Sequence, residues 1–184
     1  MSGVGKVPAA ADFVILGFLS RAPMSGYDIS RRMAASTAHF YRTSFGSIYP
    51  SLARMEKAGL VASERSLSSG RARNAYRLLP AGKKAFREWM ASPLDVSAGP
   101  SPLLARIFFL GSLEKDEARA ARALFAKAAA ERRAWLGGAL EAAVEEMGRA
   151  GVGCGEPDFF QASTRRFGLE YYAFVEDWLR RLGA

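Results

Sequence analysis

Cysteine, histidine and long apolar runs are all scarce in this chain, and each scarcity excludes some functions. The one cysteine, Cys154, cannot close an intramolecular disulfide, so the composition favours a reducing cytoplasm. The one histidine, His39, excludes multi-histidine metal sites, and no paired acid–base pattern accompanies it. The apolar stretch at residues 13–19 is too short to span a bilayer. We therefore expect a cytoplasmic protein that is not an enzyme, carries no metal or cofactor and has no membrane partner.

Acidic residues are scarce in the first half of the chain. Residues 1–90 contain fourteen Lys and Arg against five Asp and Glu, which gives a net charge of +9. Residues 91–184 contain twelve against thirteen, which gives −1. Net charge governs association with charged partners rather than the fold. The asymmetry therefore predicts a surface that binds a polyanion, and a solvated basic face without a partner is the alternative.

Two short helices are predicted near the start of the chain. Residues 13–19 are apolar nearly all round, which is typical of a short buried helix. The sequence Ser-Gly-Tyr-Asp at residues 25–28 has the pattern of a capping box, in which a hydroxyl and a carboxylate satisfy free backbone N–H groups. It predicts a second helix to about residue 37 that buries Ile29 and Met33.

A third helix is predicted from Ser44, its expected N-cap, to the stop at Gly59. Pro50 removes one hydrogen bond inside this helix, which predicts a late start or a bend. The inward face is expected to carry Ile48, Leu52 and Met55. The outward face is expected to carry Ser47, Ser51, Arg54 and Lys57.

A β-hairpin and a further helix follow in the sequence. Residues 60–65 and 74–79 show short alternating patterns, and the small and basic residues 66–73 between them predict a loop. Pro80 then predicts the start of a helix that ends near Pro93.

The second half of the chain has the composition of an all-helical domain. Residues 92–102 hold three prolines and one glycine and are predicted as a linker between domains 1–91 and 103–184. A short helix is expected at 103–110 and a long one at about 114–149, with a kink or a close helix contact at Gly137-Gly138. The last helix is expected to start at Pro157 and to carry an aromatic stripe: Phe160, Phe167, Tyr171, Phe174 and Trp178.

Three helices followed by a hairpin with a basic tip are the order of a winged helix-turn-helix. In this arrangement a short helix enters the major groove while a flexible loop grips neighbouring phosphates. Small hydroxyls and free N–H groups at the start of the third helix favour a phosphate, and Arg54 and Lys57 can reach bases or backbone. The wing arginines suit phosphate or a narrow minor groove, and they are Arg65, Arg71 and Arg73. The predicted fold class is mainly α with a small β-hairpin.

Several segments occur in order and at consistent spacing along residues 11–90. They are Ile15–Leu19, Met24–Ile29, Ser44–Leu52, Glu56–Val61 and Asn74–Leu78, followed by Gly82. Together they resemble the PadR family of bacterial transcriptional regulators. The remainder resembles the longer PadR subgroup, whose helical C-terminal half closes with a segment similar to Phe167–Tyr172 and on to Trp178.

The resemblance implies a homodimeric repressor that binds a palindromic operator on double-stranded DNA and is released by a phenolic or other small hydrophobic effector. It implies that Pro50 is tolerated inside the third helix. It also implies DNA contacts from Ser44, Ser47 and Tyr49 together with the wing arginines.

Two interpretations remain open at this point. Tyr49 is either a core aromatic or a phosphate donor, and the aromatic stripe either packs a dimer or domain interface or walls an effector pocket with Trp135 or Trp178. The alternative function is a winged-helix module that binds another protein, with incidental DNA affinity.

Overall fold

The computed structural model describes residues 10–41, 45–68, 71–151, 153 and 155–182. Over these residues it contains seven α-helices and one three-stranded antiparallel sheet, which confirms the predicted fold class. The helices are α1 (Ala10–Leu19), α2 (Gly26–Ser36), α3 (Phe45–Lys57), α4 (Pro80–Ala91), α5 (Pro100–Phe109), α6 (Lys115–Ala150) and α7 (Pro157–Arg181). The strands are β1 (Met24–Ser25), β2 (Val61–Ser68) and β3 (Arg71–Leu78), in the order β1-β3-β2.

The turn between α1 and α2 is built around Ser25. Its hydroxyl oxygen accepts a hydrogen bond from the backbone N–H of Asp28 at 3.2 Å, so the predicted N-cap is confirmed. The hydroxyl of Ser25 donates a hydrogen bond to the carboxylate of Asp28 at 2.6 Å. In a capping box the carboxylate would instead accept from the backbone N–H of the N-cap residue. Ser25 also pairs with Ala75 as the last residue of β1.

The hairpin is longer than the sequence predicted. β2 and β3 pair continuously from Val61 opposite Leu78 to Ser68 opposite Arg71, so the prediction of a loop at 66–73 is wrong. The small side chains of this segment are typical of a loop, which led to the prediction. A β-ladder is formed by backbone hydrogen bonds, however, and it continues here without large side chains. The connection at residues 69–70 lies outside the described residues.

The inward faces of α2 and α3 form the core of the first compact unit, as predicted. Ile29, Met33 and the inward residues of α3 are all buried, and Phe86 and Met90 from α4 pack in the same cluster. The predicted late start of α3 is wrong, because the helix begins at Phe45 and continues through Pro50.

The compact units differ from the domain boundary predicted at 92–102. The first unit contains the chain up to residue 92 and also residues 100–118, and the second contains 93–99 and 119–184. Helix α5 packs back on the first unit: a Cβ placed on Gly17 would lie 2.8 Å from the ring of Phe109. Arg106 of α5 is also buried and donates to the carbonyl oxygen of Ser92 at 2.5 Å. The prolines of this segment indicated a linker, but apolar side chains of α5 pack into the core of the first unit.

The second unit is built on α6 and α7. A Cβ on Gly168 would lie 3.0 Å from the side chain of Leu136, and one on Gly137 would contact Leu169 at 3.7 Å. The predicted close helix contact is therefore present, and α6 runs without interruption through Gly137-Gly138. The buried carboxylate of Glu176 accepts hydrogen bonds from Arg133 at 2.9 Å and from Arg180.

Within the described part of the chain, no helix is both long and apolar enough to cross a membrane.

Candidate DNA interface

Helix α3 separates an inward from an outward face, and most of the predicted contact residues lie on the outward one. The exposed positions follow one side of the helix, since residues three and four apart share a face. They include Ser47, Arg54 and Lys57, as predicted, and also Gly46, Tyr49, Pro50, Ala53 and Glu56. Sequence reasoning missed Pro50 and Ala53, which lie between the expected contacts. An exposed small or cyclic residue has no polar signal that would have singled it out.

Ser51 does not lie on the outward face, and this prediction is wrong. Its relative exposure is 5 %, and its hydroxyl oxygen accepts a hydrogen bond from Nη2 of Arg54 at 3.0 Å. Ser51 follows Ile48 by three residues and precedes Met55 by four, so the helical period places it in the apolar row. Because serine is polar, the sequence analysis assigned Ser51 to the outward face although its position in the helical period is an inward one.

Arg54 is exposed on α3 but bound to α1. Its Nη2 donates to Oδ1 of Asp12 at 2.7 Å. The Asp12 side chain is 1 % exposed, whereas that of Arg54 is 46 % exposed. The predicted base reader is therefore also the partner of a buried carboxylate that the sequence analysis did not single out.

Tyr49 is partly packed and partly exposed, and its role as a phosphate donor stays a prediction. The side chain is half-exposed, yet its ring covers Gly26 at the start of α2, where an added Cβ would lie 2.7 Å from Cε1. Tyr49 thus packs on the turn of the helix-turn-helix and still presents part of its surface to solvent.

Glu56 fastens the end of α3 to the hairpin. Its Oε1 accepts hydrogen bonds from the backbone N–H of Ser63 at 2.8 Å and from its hydroxyl at 2.6 Å. These two hydrogen bonds lower the pKa of Glu56 below its ordinary value of 4.5. Tyr76, on the neighbouring strand, has its pKa raised, first by burial and then by the charge of Glu56. The recognition helix and the wing are thereby held in one arrangement.

The wing carries its predicted cations along paired strands. Arg65 of β2 is exposed and lies opposite Asn74, while Arg71 and Arg73 are placed on β3 by the backbone register. Nearer the base, Arg77 is paired with Glu64 at 2.5 Å. Ser44 lies outside the described residues. The structure thus brings the exposed face of α3 and the base of a basic hairpin into one compact unit.

Residues 15–88, which span this helix-turn-helix and its wing, match the profile of the transcriptional regulator PadR-like family. Residues 15–88 therefore form a PadR-like domain. The proteins that this profile describes are transcriptional regulators.

Three similar proteins show how far this likeness extends. The transcriptional regulator Rv3488 of Mycobacterium tuberculosis is 50 % identical over 50 residues, which are 27 % of this chain and 47 % of that protein. The negative transcriptional regulator PadR of Bacillus subtilis is 24 % identical over 109 residues, 58 % of this chain and 59 % of that protein. The chain therefore spans about half the length of the curated relatives it matches. The crystal structure of Bacillus subtilis PadR in complex with operator DNA has a TM-score of 0.46 at 24 % identity and covers 95 % of this chain and 97 % of that one.

Outside the PadR domain, α7 exposes a row of large aromatic side chains. Phe160, Phe167 and Phe174 are 59 %, 70 % and 61 % exposed. Tyr171 and Trp178 of the predicted stripe are only partly buried, and burial raises the pKa of Tyr171. The opposite side of α7 buries Ala162, Tyr172, Val175 and Leu179. The stripe therefore lies outside the core of the chain and remains an apolar surface.

Trp135 of α6 is a second exposed aromatic in this unit. Its ring is 59 % exposed and lies beneath the guanidinium of Arg132, with 4.1 Å from the Cζ atom to the ring centroid. A cation over an indole face is a favourable contact that fixes both groups. Among the described residues, no group of three or more His, Cys, Asp and Glu side chains has the arrangement of a metal site.

Proposed function

We propose that this PadR-family regulator is a cytoplasmic homodimeric repressor that binds a palindromic operator. In this proposal α3 enters the major groove, Ser47, Tyr49 and Lys57 contact DNA from its outward face, and the hairpin arginines bind adjacent backbone. The exposed polar face of α3 beside a basic wing, within a unit of strongly positive charge, is the observation that supports it. Arg65 at the paired part of the wing, with Arg71 and Arg73 on β3, supplies the phosphate contacts.

Homodimerisation is proposed to use the aromatic surface of α7. A row of exposed phenylalanines is costly in water and is typical of an interface between chains, where aromatic residues are enriched. Two-fold symmetry would then place the two recognition helices about 34 Å apart in successive major grooves. Trp135, with Tyr171 and Trp178, is proposed to border a site for a small hydrophobic or phenolic effector that releases the DNA.

Selection from a randomised duplex library tests the proposal directly. We expect the purified protein to enrich an inverted repeat whose half-sites are separated by one helical turn, and affinity should fall steeply with added salt. Light scattering should give twice the chain mass of 19.9 kDa. A monomer that enriches no sequence would contradict the proposal. Salt-insensitive binding without sequence preference would instead favour the winged-helix protein-interaction module.

The effector is tested on the same enriched duplex. A panel of aromatic acids, phenols and apolar aliphatic compounds should contain members that weaken DNA binding, and Trp135→Ala should reduce that response while leaving the effector-free affinity unchanged. If no compound alters binding, the release mechanism is wrong although the DNA-binding function stands.

A further inference from the structure

Asp12 is a buried carboxylate on a helix that otherwise contributes apolar side chains to the core. Val14, Ile15, Leu16, Phe18 and Leu19 of α1 are all buried. A buried carboxylate is expensive to desolvate and commonly adds no net stability, even when it is paired. A function for Asp12 must therefore be sought in what it holds.

Asp12 binds the Nη2 group of the Arg54 guanidinium. The hydrogen bonds to Oδ1 of Asp12 and to Oγ of Ser51 both come from Nη2. A guanidinium carries five N–H donors in one rigid plane, so fixing Nη2 on two partners fixes the plane. In the described part of the chain, Nε and Nη1 of Arg54 have no hydrogen-bond partner, and the side chain is 46 % exposed. With Nη2 held, the N–H groups of Nε and Nη1 keep a fixed direction on a side chain that is partly open to solvent.

We propose that Asp12 is a positioning residue for DNA recognition, which orients the remaining N–H donors of Arg54 toward an acceptor on the duplex. Acceptors of this kind in DNA are O6 or N7 of guanine and the oxygens of a phosphate. The inference rests on the proposed DNA-binding function and adds to it a residue that touches no DNA. It also explains why a buried charge joins α1 to α3 in this unit.

The charge-matched pair Asp12→Asn and Glu88→Gln separates positioning from electrostatics. Glu88 is an exposed residue of α4 that faces Lys84, so each substitution removes one negative charge from the first unit. Charge alone predicts equal or slightly tighter DNA binding for both variants. Positioning predicts weaker binding for Asp12→Asn only, by up to about thirty-fold, because Arg rotamer freedom is worth about 2 kcal/mol.

The measurement is a titration of the duplex enriched by the wild type and of a scrambled duplex of the same composition, with each dimeric variant. Asp12→Asn should weaken binding to the enriched duplex and leave the scrambled duplex within about twofold. Identical behaviour of Asp12→Asn and Glu88→Gln would overturn the inference. If the wild type enriches no sequence at all, the proposed function itself fails, so the two failures are distinguishable.

A double-mutant cycle distinguishes positioning from a general structural role. When Arg54→Gln is already present, adding Asp12→Asn should cause no further loss of affinity, whereas a structural role would add its loss again. Arg54→Lys provides a second route if Asp12→Asn does not fold: it keeps the charge beside Asp12 but loses the planar guanidinium whose other N–H groups Asp12 orients, and it should bind like Arg54→Gln. Affinity of Arg54→Lys equal to the wild type would overturn the inference.

Base preference identifies the acceptor. If the acceptor is guanine, Arg54→Gln and Asp12→Asn lose preference at the same base pair of each half-site. If it is a phosphate, the loss is uniform over sequences and the salt dependence falls by about one ion per half-site. Both results support positioning by Asp12, whereas loss of preference at unrelated positions in the two variants would contradict it.

Discussion

Gly82 should be the glycine whose replacement by alanine most clearly damages the winged helix. It lies in the first turn of α4, where an added Cβ would overlap the carbonyl oxygen of Leu60 and lie 2.8 Å from Cδ1 of Leu78. The same carbonyl oxygen accepts the backbone N–H of Leu79 at 3.0 Å. The new Cβ would therefore overlap a backbone oxygen that already accepts a hydrogen bond. A backbone oxygen cannot move away by rotation about a side-chain bond.

The expected cost follows from three contributions. Overpacking costs about 1–3 kcal/mol and is near its upper limit here, because backbone must move. Disturbing the hydrogen bond between Leu79 and Leu60 costs about 0.5–1.5 kcal/mol. The higher helix propensity of alanine returns up to about 1 kcal/mol. We expect Gly82→Ala to lower the free energy of unfolding by about 2.5–3.5 kcal/mol, which corresponds to about 5–14 °C in Tm for a chain of this size.

Thermal denaturation followed by circular dichroism measures this effect. Gly138→Ala is the matched control, since Gly138 lies inside α6 and an added Cβ would meet nothing within 4 Å. That variant should melt as high as the wild type or higher. A Gly82→Ala protein with the Tm of the control would refute the reasoning from backbone overlap.

Three further changes give measurable outcomes. Gly26→Ala should push the Tyr49 ring off α2 and weaken binding to the enriched duplex at least fivefold with only a small change in Tm; unchanged affinity would exclude a contact role for the ring. Because Ser63 lowers the pKa of Glu56, this carboxylate stabilises the fold fully above pH 4.5 and loses that effect as pH falls through its folded-state value. The wild type should therefore lose more stability than Glu56→Gln on acidification in chemical denaturation, and parallel losses would contradict this. Phe167→Asp should shift the sedimenting species from dimer to monomer without changing helix content, and a persisting dimer would place the interface elsewhere.

Periodic patterns predicted those parts of the fold that depend on neighbouring residues. The three helices, the cap at Ser25 and the inward residues of α3 all follow from spacing and from local hydrogen-bonding chemistry. Ser51 was misplaced because its polarity was given more weight than its position in the helical period. The hairpin was shortened because small residues signal a loop even where a ladder continues.

Contacts between distant residues were not predictable from these patterns. Asp12 and Arg54 are 42 positions apart, and nothing in the local sequence of either indicates the other. Likewise, the burial of Arg106 and Phe109 against the first unit depends on tertiary packing that the prolines around them conceal. In the candidate interface, spacing predicted the exposure of Ser47, Arg54 and Lys57, but the residues that hold this face in place became visible only in three dimensions.

The short strand β1 limits how the winged helix of this chain can be redesigned. Met24 and Ser25 pair with Tyr76 and Ala75, so the inner part of β3 is joined both to β2 and to the residue that caps α2. A chimaera that borrows residues 66–73 from a relative leaves these pairings untouched. Grafts that extend through 74–78 would also have to supply a compatible start for α2, so the outer segment is the natural unit of exchange.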